Sequence, residues 1–115
     1  MFQQRKLLNG VVNYDIFMRR FVFSIDSTRE EFYSKLKIHN VDDVLEYEFD
    51  EQNSVVTFTV HSRQFAYKIK VDEYEQIAIL RAEQVPFVSK VTYHINAFFI
   101  KKFNAEPIDY RSYGF

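Results

Sequence analysis

The sequence predicts an α+β domain: one antiparallel β-meander of four to five strands on a long C-terminal helix, with a short helix after the first strand. Three observations carry this. Residues 45–71 hold three runs of period-two alternation, residues 88–103 carry an apolar stripe at helical spacing, and a capping signature follows the first apolar strand.

The alternating runs come first. Leu45, Tyr47 and Phe49 alternate with Glu46, Glu48 and Asp50. Past the polar stretch 51–54, Val56, Phe58 and Val60 alternate with Val55, Thr57 and Thr59. Past Ser62-Arg63, Phe65, Tyr67, Ile69 and Val71 alternate with Ala66, Lys68 and Lys70. Such alternation marks half-buried strands. Closing the first hairpin over 51–54 pairs Phe49 with Val56, Tyr47 with Phe58 and Leu45 with Val60. Closing the second over Ser62-Arg63 pairs Val60 with Phe65, Phe58 with Tyr67 and Val56 with Ile69. Both closures put the apolar residues on one face, which a one-residue slip would destroy. Ser62-Arg63 lacks the Asn-Gly chemistry favoured in two-residue turns.

Upstream, Phe17, Arg19, Phe21, Phe23 and Ile25 form one face of a strand, strongest over 19–25. Ser27-Thr28-Arg29-Glu30 reads as a capping box with Ser27 as N-cap. A helix over 28–37 then buries Phe32, Tyr33 and Leu36, with Asn40 just beyond its end. Downstream, residues 77–83 suit a helix by propensity and a strand by topology. Pro86 stops any helix near Val85. The tendency of a meander to continue through adjacent elements favours a strand over 76–84.

In the last helix Val88, Val91, Ile95, Phe98 and Phe99 share a stripe edged by Phe103, and Lys90, His94 and Lys101 form the wet face. Phe98 and Phe99 lie about 100° apart around the axis. Both can be buried among Tyr47, Phe58 and Tyr67 only where the sheet curves around the helix. Residues 1–18 stay unassigned within a single domain of 115 residues, and 104–115 reads as a docked tail. The element order is similar to a truncated helix-grip arrangement, in which a curved sheet wraps a terminal helix.

Composition narrows the function. Fifteen basic against sixteen acidic residues argue against a surface devoted to nucleic acid. The absence of cysteine excludes disulfides and thiolate metal sites, and it fits a reducing compartment. The first ten residues lack the apolar stretch of a secretory signal, and no run approaches the ~20 apolar residues of a membrane span. A soluble cytoplasmic protein is the expectation.

Residues for chemistry are sparse. His39, His61 and His94 have no ligand partner at helical or strand spacing, so neither metal nor cofactor is expected. The paired acids Glu30-Glu31, Asp42-Asp43 and the run 72–75 fit loops and caps, whereas acid–base catalysis needs carboxylates that converge. No Gly-rich phosphate loop or nucleophile motif occurs, so catalysis is not expected. Arg63-Gln64-Phe65-Ala66-Tyr67 partly overlaps the aromatic octamer of RNA-recognition sheets. Gln64 replaces its glycine, however, and Phe65 and Tyr67 share the inward face, so they read as core. The dibasic pairs Arg19-Arg20 and Lys101-Lys102 read as solvated charges.

Thirteen Phe and eight Tyr remain to be explained. A filled aromatic core is the ordinary reading and a lined cavity the sharper one. The first functional expectation is therefore non-catalytic binding of a hydrophobic small molecule in a sheet–helix cleft. Tyr47, Phe58, Tyr67, Ala78, Ala82 and Phe98 would line it. The second is a protein-interaction or homodimerisation module presenting Tyr93 and Ile100 on the helix shoulder, with Tyr110, Tyr113 and Phe115 in the tail.

Overall fold

Each alternating run forms a strand, and Tyr47, Val56, Phe58, Val60, Phe65, Tyr67, Ile69 and Val71 all join one buried core. The computed structural model describes residues 14–15, 19–83 and 89–108. In chain order the elements are β1 (Tyr14–Asp15), β2 (Arg20–Ser24), α1 (Arg29–Lys37), β3 (Glu46–Asp50), β4 (Val55–Val60), β5 (Arg63–Asp72), β6 (Ile77–Ala82), α2 (Ser89–Phe103) and β7 (Glu106–Pro107). The antiparallel sheet runs β1-β2-β6-β5-β4-β3, and β7 pairs with β2 beyond β1. Residues 77–82 are thus a strand, as topology argued. β2 lies beside β6, so the chain crosses the inner face of the sheet, through α1, before it enters β3 at the far edge. This crossing brings the α1–β3 loop against the C-terminal end of α2.

The first hairpin pairs Phe49 with Val56 and Tyr47 with Phe58, as the alternation requires. The ladder stops at Glu46–Thr59, so Leu45 lies outside it. The second hairpin differs from the expected register by two residues: Val60 pairs with Arg63, Phe58 with Phe65 and Val56 with Tyr67. Its turn is His61-Ser62, with φ of 51° and 67°. Two successive positive φ values match the twist of the flanking strands, and neither residue type advertises them. An even shift leaves every side chain on its original face, so the core pattern survives.

Two further expectations move by one residue. The N-cap of α1 is Thr28, not Ser27: its Oγ1 accepts from the Glu31 amide at 3.1 Å, and the Thr28 amide donates to Glu31 Oε1 at 3.0 Å. Ser-x-x-Glu and Thr-x-x-Glu overlap in this sequence, and the later frame leaves the Arg29 amide to reach Glu73 Oε2 at 2.9 Å. β2 begins at Arg20, because Arg19 adopts a positive φ of 54° and is exposed.

Phe98 and Phe99 are both fully buried. Phe98 meets Tyr47 and Phe58 edge-on at 5.0 and 5.1 Å between ring centres. Phe99 lies 4.9 Å from Phe23 and 5.9 Å from Phe58. The sheet therefore curves around α2, and α1 closes the end of the core where Phe32 stacks on Phe103 at 4.3 Å. Tyr67 sits one strand away, against Phe21 and Phe58.

α2 ends at Asn104, whose φ of 54° lets the Ala105 amide return to the Phe99 carbonyl at 3.3 Å. The bond spans six residues, one more than the C″-to-C3 bond of a Schellman motif, and it closes the helix across the left-handed Asn104. The tail then pairs with β2 through β7, and the Ile108 amide donates to Val22. Tyr110, Tyr113 and Phe115, like Phe17 and Val88, lie outside the described residues. Two polar side chains enter the buried flank of α2. Among the described residues, neither the Thr92 hydroxyl nor either end of the Asn96 amide has a hydrogen-bond partner.

Candidate interaction site

All six residues expected to line a cleft come together on the inner face, in one buried cluster. Tyr47, Phe58, Tyr67, Ala78, Ala82 and Phe98 are at most 6% exposed. Their rings pack against one another and against α2, and Ala78 and Ala82 stand opposite Val71 and Tyr67 on β5. Of the shoulder residues, Tyr93 is 51% exposed and Ile100 half-buried. The three tail aromatics of that expectation lie outside the described residues.

A different arrangement stands out at the end of α2. The helical stripe Val91, Ile95, Phe98 continues at Lys102, which therefore points inward. Its side chain is 4% exposed, and the Asp43 side chain is 11% exposed. The ammonium donates to Asp43 Oδ1 at 3.0 Å, Asp43 Oδ2 at 3.2 Å and the Ile38 carbonyl at 2.8 Å. It also lies 5.7 Å above the centre of the Tyr47 ring, a cation–π distance. Lys102 is thus no solvated charge. Arg20 is buried as well, so in each dibasic pair only the first residue faces solvent.

Tyr47 completes the latch from β3. Its hydroxyl donates to the Leu36 carbonyl at 2.6 Å, with the Ile38 carbonyl at 3.2 Å, tying down the end of α1. His39 stacks on the same ring at 4.4 Å, and its Nε2 donates to the Tyr47 carbonyl at 3.0 Å. Within the loop, the Asn40 amide donates to Asp43 Oδ2 at 3.0 Å and the Asp43 amide to the Asn40 carbonyl at 3.1 Å. Burial pushes the Asp43 carboxyl up, but the Asn40 amide and the Lys102 ammonium outweigh it and hold it below the ordinary carboxylate range. Burial, helped by the Asp43 charge, pushes the Tyr47 phenol up to about 12.

The latched loop presents apolar surface. Ile38 is 59% exposed, Val41 fully so and Val44 47%. They make up three of the five large hydrophobic residues that are exposed among the described residues, the others being Tyr74 and Tyr93. Beside Val44 a dimple of about 110 Å³ opens between the loop and α2, with Phe98 in its lining and Asp42 and Lys101 among its walls. It is smaller than the roughly 150 Å³ that holds a benzene molecule, and suits one aliphatic side chain.

A larger groove of about 860 Å³ runs beside α1, where Ile25, Phe32 and Phe103 meet the polar residues Thr28, Glu31 and Lys35. Among the described residues no group of three metal-ligating side chains occurs, and no helix is long and apolar enough to cross a membrane. Sequence reasoning missed the latch because Lys102 was grouped with its neighbour Lys101. Its spacing from Phe98 and Ile95 was the available signal. Comparison with protein-family models, with curated proteins and with solved structures finds no match for this chain.

Proposed function

We propose that this domain is a non-catalytic protein-interaction module whose contact surface is the latched loop between α1 and β3. The observation behind this reading is the pairing of a rigid support with exposed apolar side chains. Ile38, Val41 and Val44 project from a loop that a buried ion pair and the hydrogen bonds of His39, Asn40, Asp43, Tyr47 and Lys102 hold in shape. Exposed apolar residues gathered at one place mark interaction surfaces more often than isolated ones do. A loop already ordered before binding loses little conformational entropy when a partner docks. The dimple at Val44 would take one aliphatic anchor from that partner.

This reading prefers a protein partner to a small molecule between sheet and helix, because a ligand there would have to displace packed rings. Site-specific photo-crosslinking tests it. A benzophenone at position 41 should give a discrete protein adduct in extract of the source cells, and one at the equally exposed position 74 should not. Excess native chain should compete the adduct away, and excess Val44→Asp chain should not. Equal labelling from both positions, or competition indifferent to Val44→Asp, would rule the loop out as the contact.

A further inference from the structure

β5 outruns β4. It continues to Asp72, whereas β4 begins at Val55 and the last bond between them runs from the Ile69 amide to the Ser54 carbonyl, at 2.9 Å. On its other side the Ala66 carbonyl accepts from the Glu83 amide at 3.0 Å. Successive residues of a strand bond to opposite neighbours, so odd residues of β5 address β4 and even ones β6. Val71 therefore aims its N–H and C=O past the end of β4, where no described strand lies. The residue is 4% exposed, and a donor and acceptor so enclosed cost free energy unless a partner meets them.

This strand edge is one wall of a groove of about 670 Å³ between α1, the β3–β4 turn and β5. Ile69, Lys70 and Val71 all line it. Side chains alternate along a strand, so three consecutive residues share one wall through the backbone edge. Tyr33 and Ser54 line the groove as well, with their hydroxyls 3.2 Å apart. Of the two lysines there, Lys37 pairs with Glu51 at 3.0 Å, whereas Lys70 makes no ion pair among the described residues.

We propose that this groove binds the free C-terminus of an extended peptide, added to β5 opposite Val71. The penultimate residue of the peptide would exchange both backbone hydrogen bonds with Val71. Its side chain would share the inner side with that of Val71, which suits an aliphatic group. The added strand can run only one residue further, because Ser54 holds the place opposite Ile69. A peptide antiparallel to β5 thus ends beside Lys70, where the ammonium and the two hydroxyls suit a carboxylate. The reverse direction would bring a positive terminus to the same cation. No residue lining the groove belongs to the latched loop, so the site stands independently of that surface.

Backbone amide NMR of the full chain, titrated with the peptide acetyl-Ala-Val-Val carrying a free carboxylate, tests the site. The expected result is saturable binding, with shifts centred on Ser54 and residues 69–71 and slower exchange of the Val71 amide. Capping the carboxylate as an amide, N-methylating the penultimate residue, or changing Lys70→Met should each weaken binding roughly tenfold. Lys101→Met, outside the groove, should leave it unchanged. Absence of shifts at residues 69–71 with the peptide at millimolar concentration would overturn the proposal. So would binding indifferent to the capped terminus, to N-methylation or to Lys70→Met.

Discussion

Replacing Lys102 with methionine keeps most of the side chain's length and apolar stem, and removes only the ammonium. Three acceptor contacts disappear, two to Asp43 and one to the Ile38 carbonyl. Asp43 is then left with the Asn40 amide as its remaining partner among the bonds described above. Removing one member of a buried pair typically costs 3–5 kcal/mol, because the other charge stays desolvated. Asp43 keeps that amide bond and touches solvent at its edge, so the low end applies, about 3 kcal/mol. A domain of this size has only about 5–15 kcal/mol in all, and the melting temperature should fall by roughly 10 °C. Urea denaturation and calorimetry read both quantities. Lys101→Met, one residue away on the wet face, should stay within about 0.5 kcal/mol of the native chain. In a double-mutant cycle, adding Asp43→Asn to Lys102→Met should cost much less than the sum of the single changes. A Lys102→Met variant as stable as Lys101→Met would refute the claim that this ion pair holds the loop.

Phe98→Ala and Phe99→Ala should each cost about 3–5 kcal/mol in the same denaturation assay, since both rings are fully buried among other rings. Asn96→Leu should raise stability by about 1 kcal/mol or more, because it replaces a buried amide lacking partners with an apolar group of similar size. A loss of stability there would mean that the amide is satisfied. The latch also sets the pH profile. The folded Asp43 carboxyl sits below its ordinary value of 3.8, so its contribution is present above that value and is lost as pH falls through the lowered one. The folded Tyr47 phenol sits near 12 against an ordinary 10.0, so its contribution is full below pH 10 and is lost as pH rises toward 12. Thermal melts across pH should show the alkaline loss in the native chain and its disappearance in Tyr47→Phe.

The fold was legible wherever side-chain periodicity decides structure. Period two in 45–71 identified three strands and their common face, and the stripe Val91–Ile95–Phe98–Phe99 identified the face of α2. Backbone conformation was less legible. The His61-Ser62 turn depends on two positive φ values that neither residue type signals, so the register was read two residues away. The capping box was readable as a motif but not as a frame, since Ser27 and Thr28 both begin one. The candidate site was almost hidden. Tyr47 was seen as an inward ring, but its hydroxyl ties α1 to β3 across a connection that local sequence does not encode. Lys102 and Asp43 lie 59 positions apart, and the open edge at Val71 follows from the register of the β4–β5 turn.

Amide hydrogen exchange over residues 38–45 tests most directly whether this loop is a pre-shaped surface. In the native chain the amides of Asn40 and Asp43, which bond to Asp43 Oδ2 and the Asn40 carbonyl, should exchange well below the unprotected rate. In Lys102→Met the same amides should lose protection, while those of β4 and β5 keep theirs after correction for the change in global stability. Loop amides that already exchange freely in the native chain, or that are unaffected by Lys102→Met, would contradict the account.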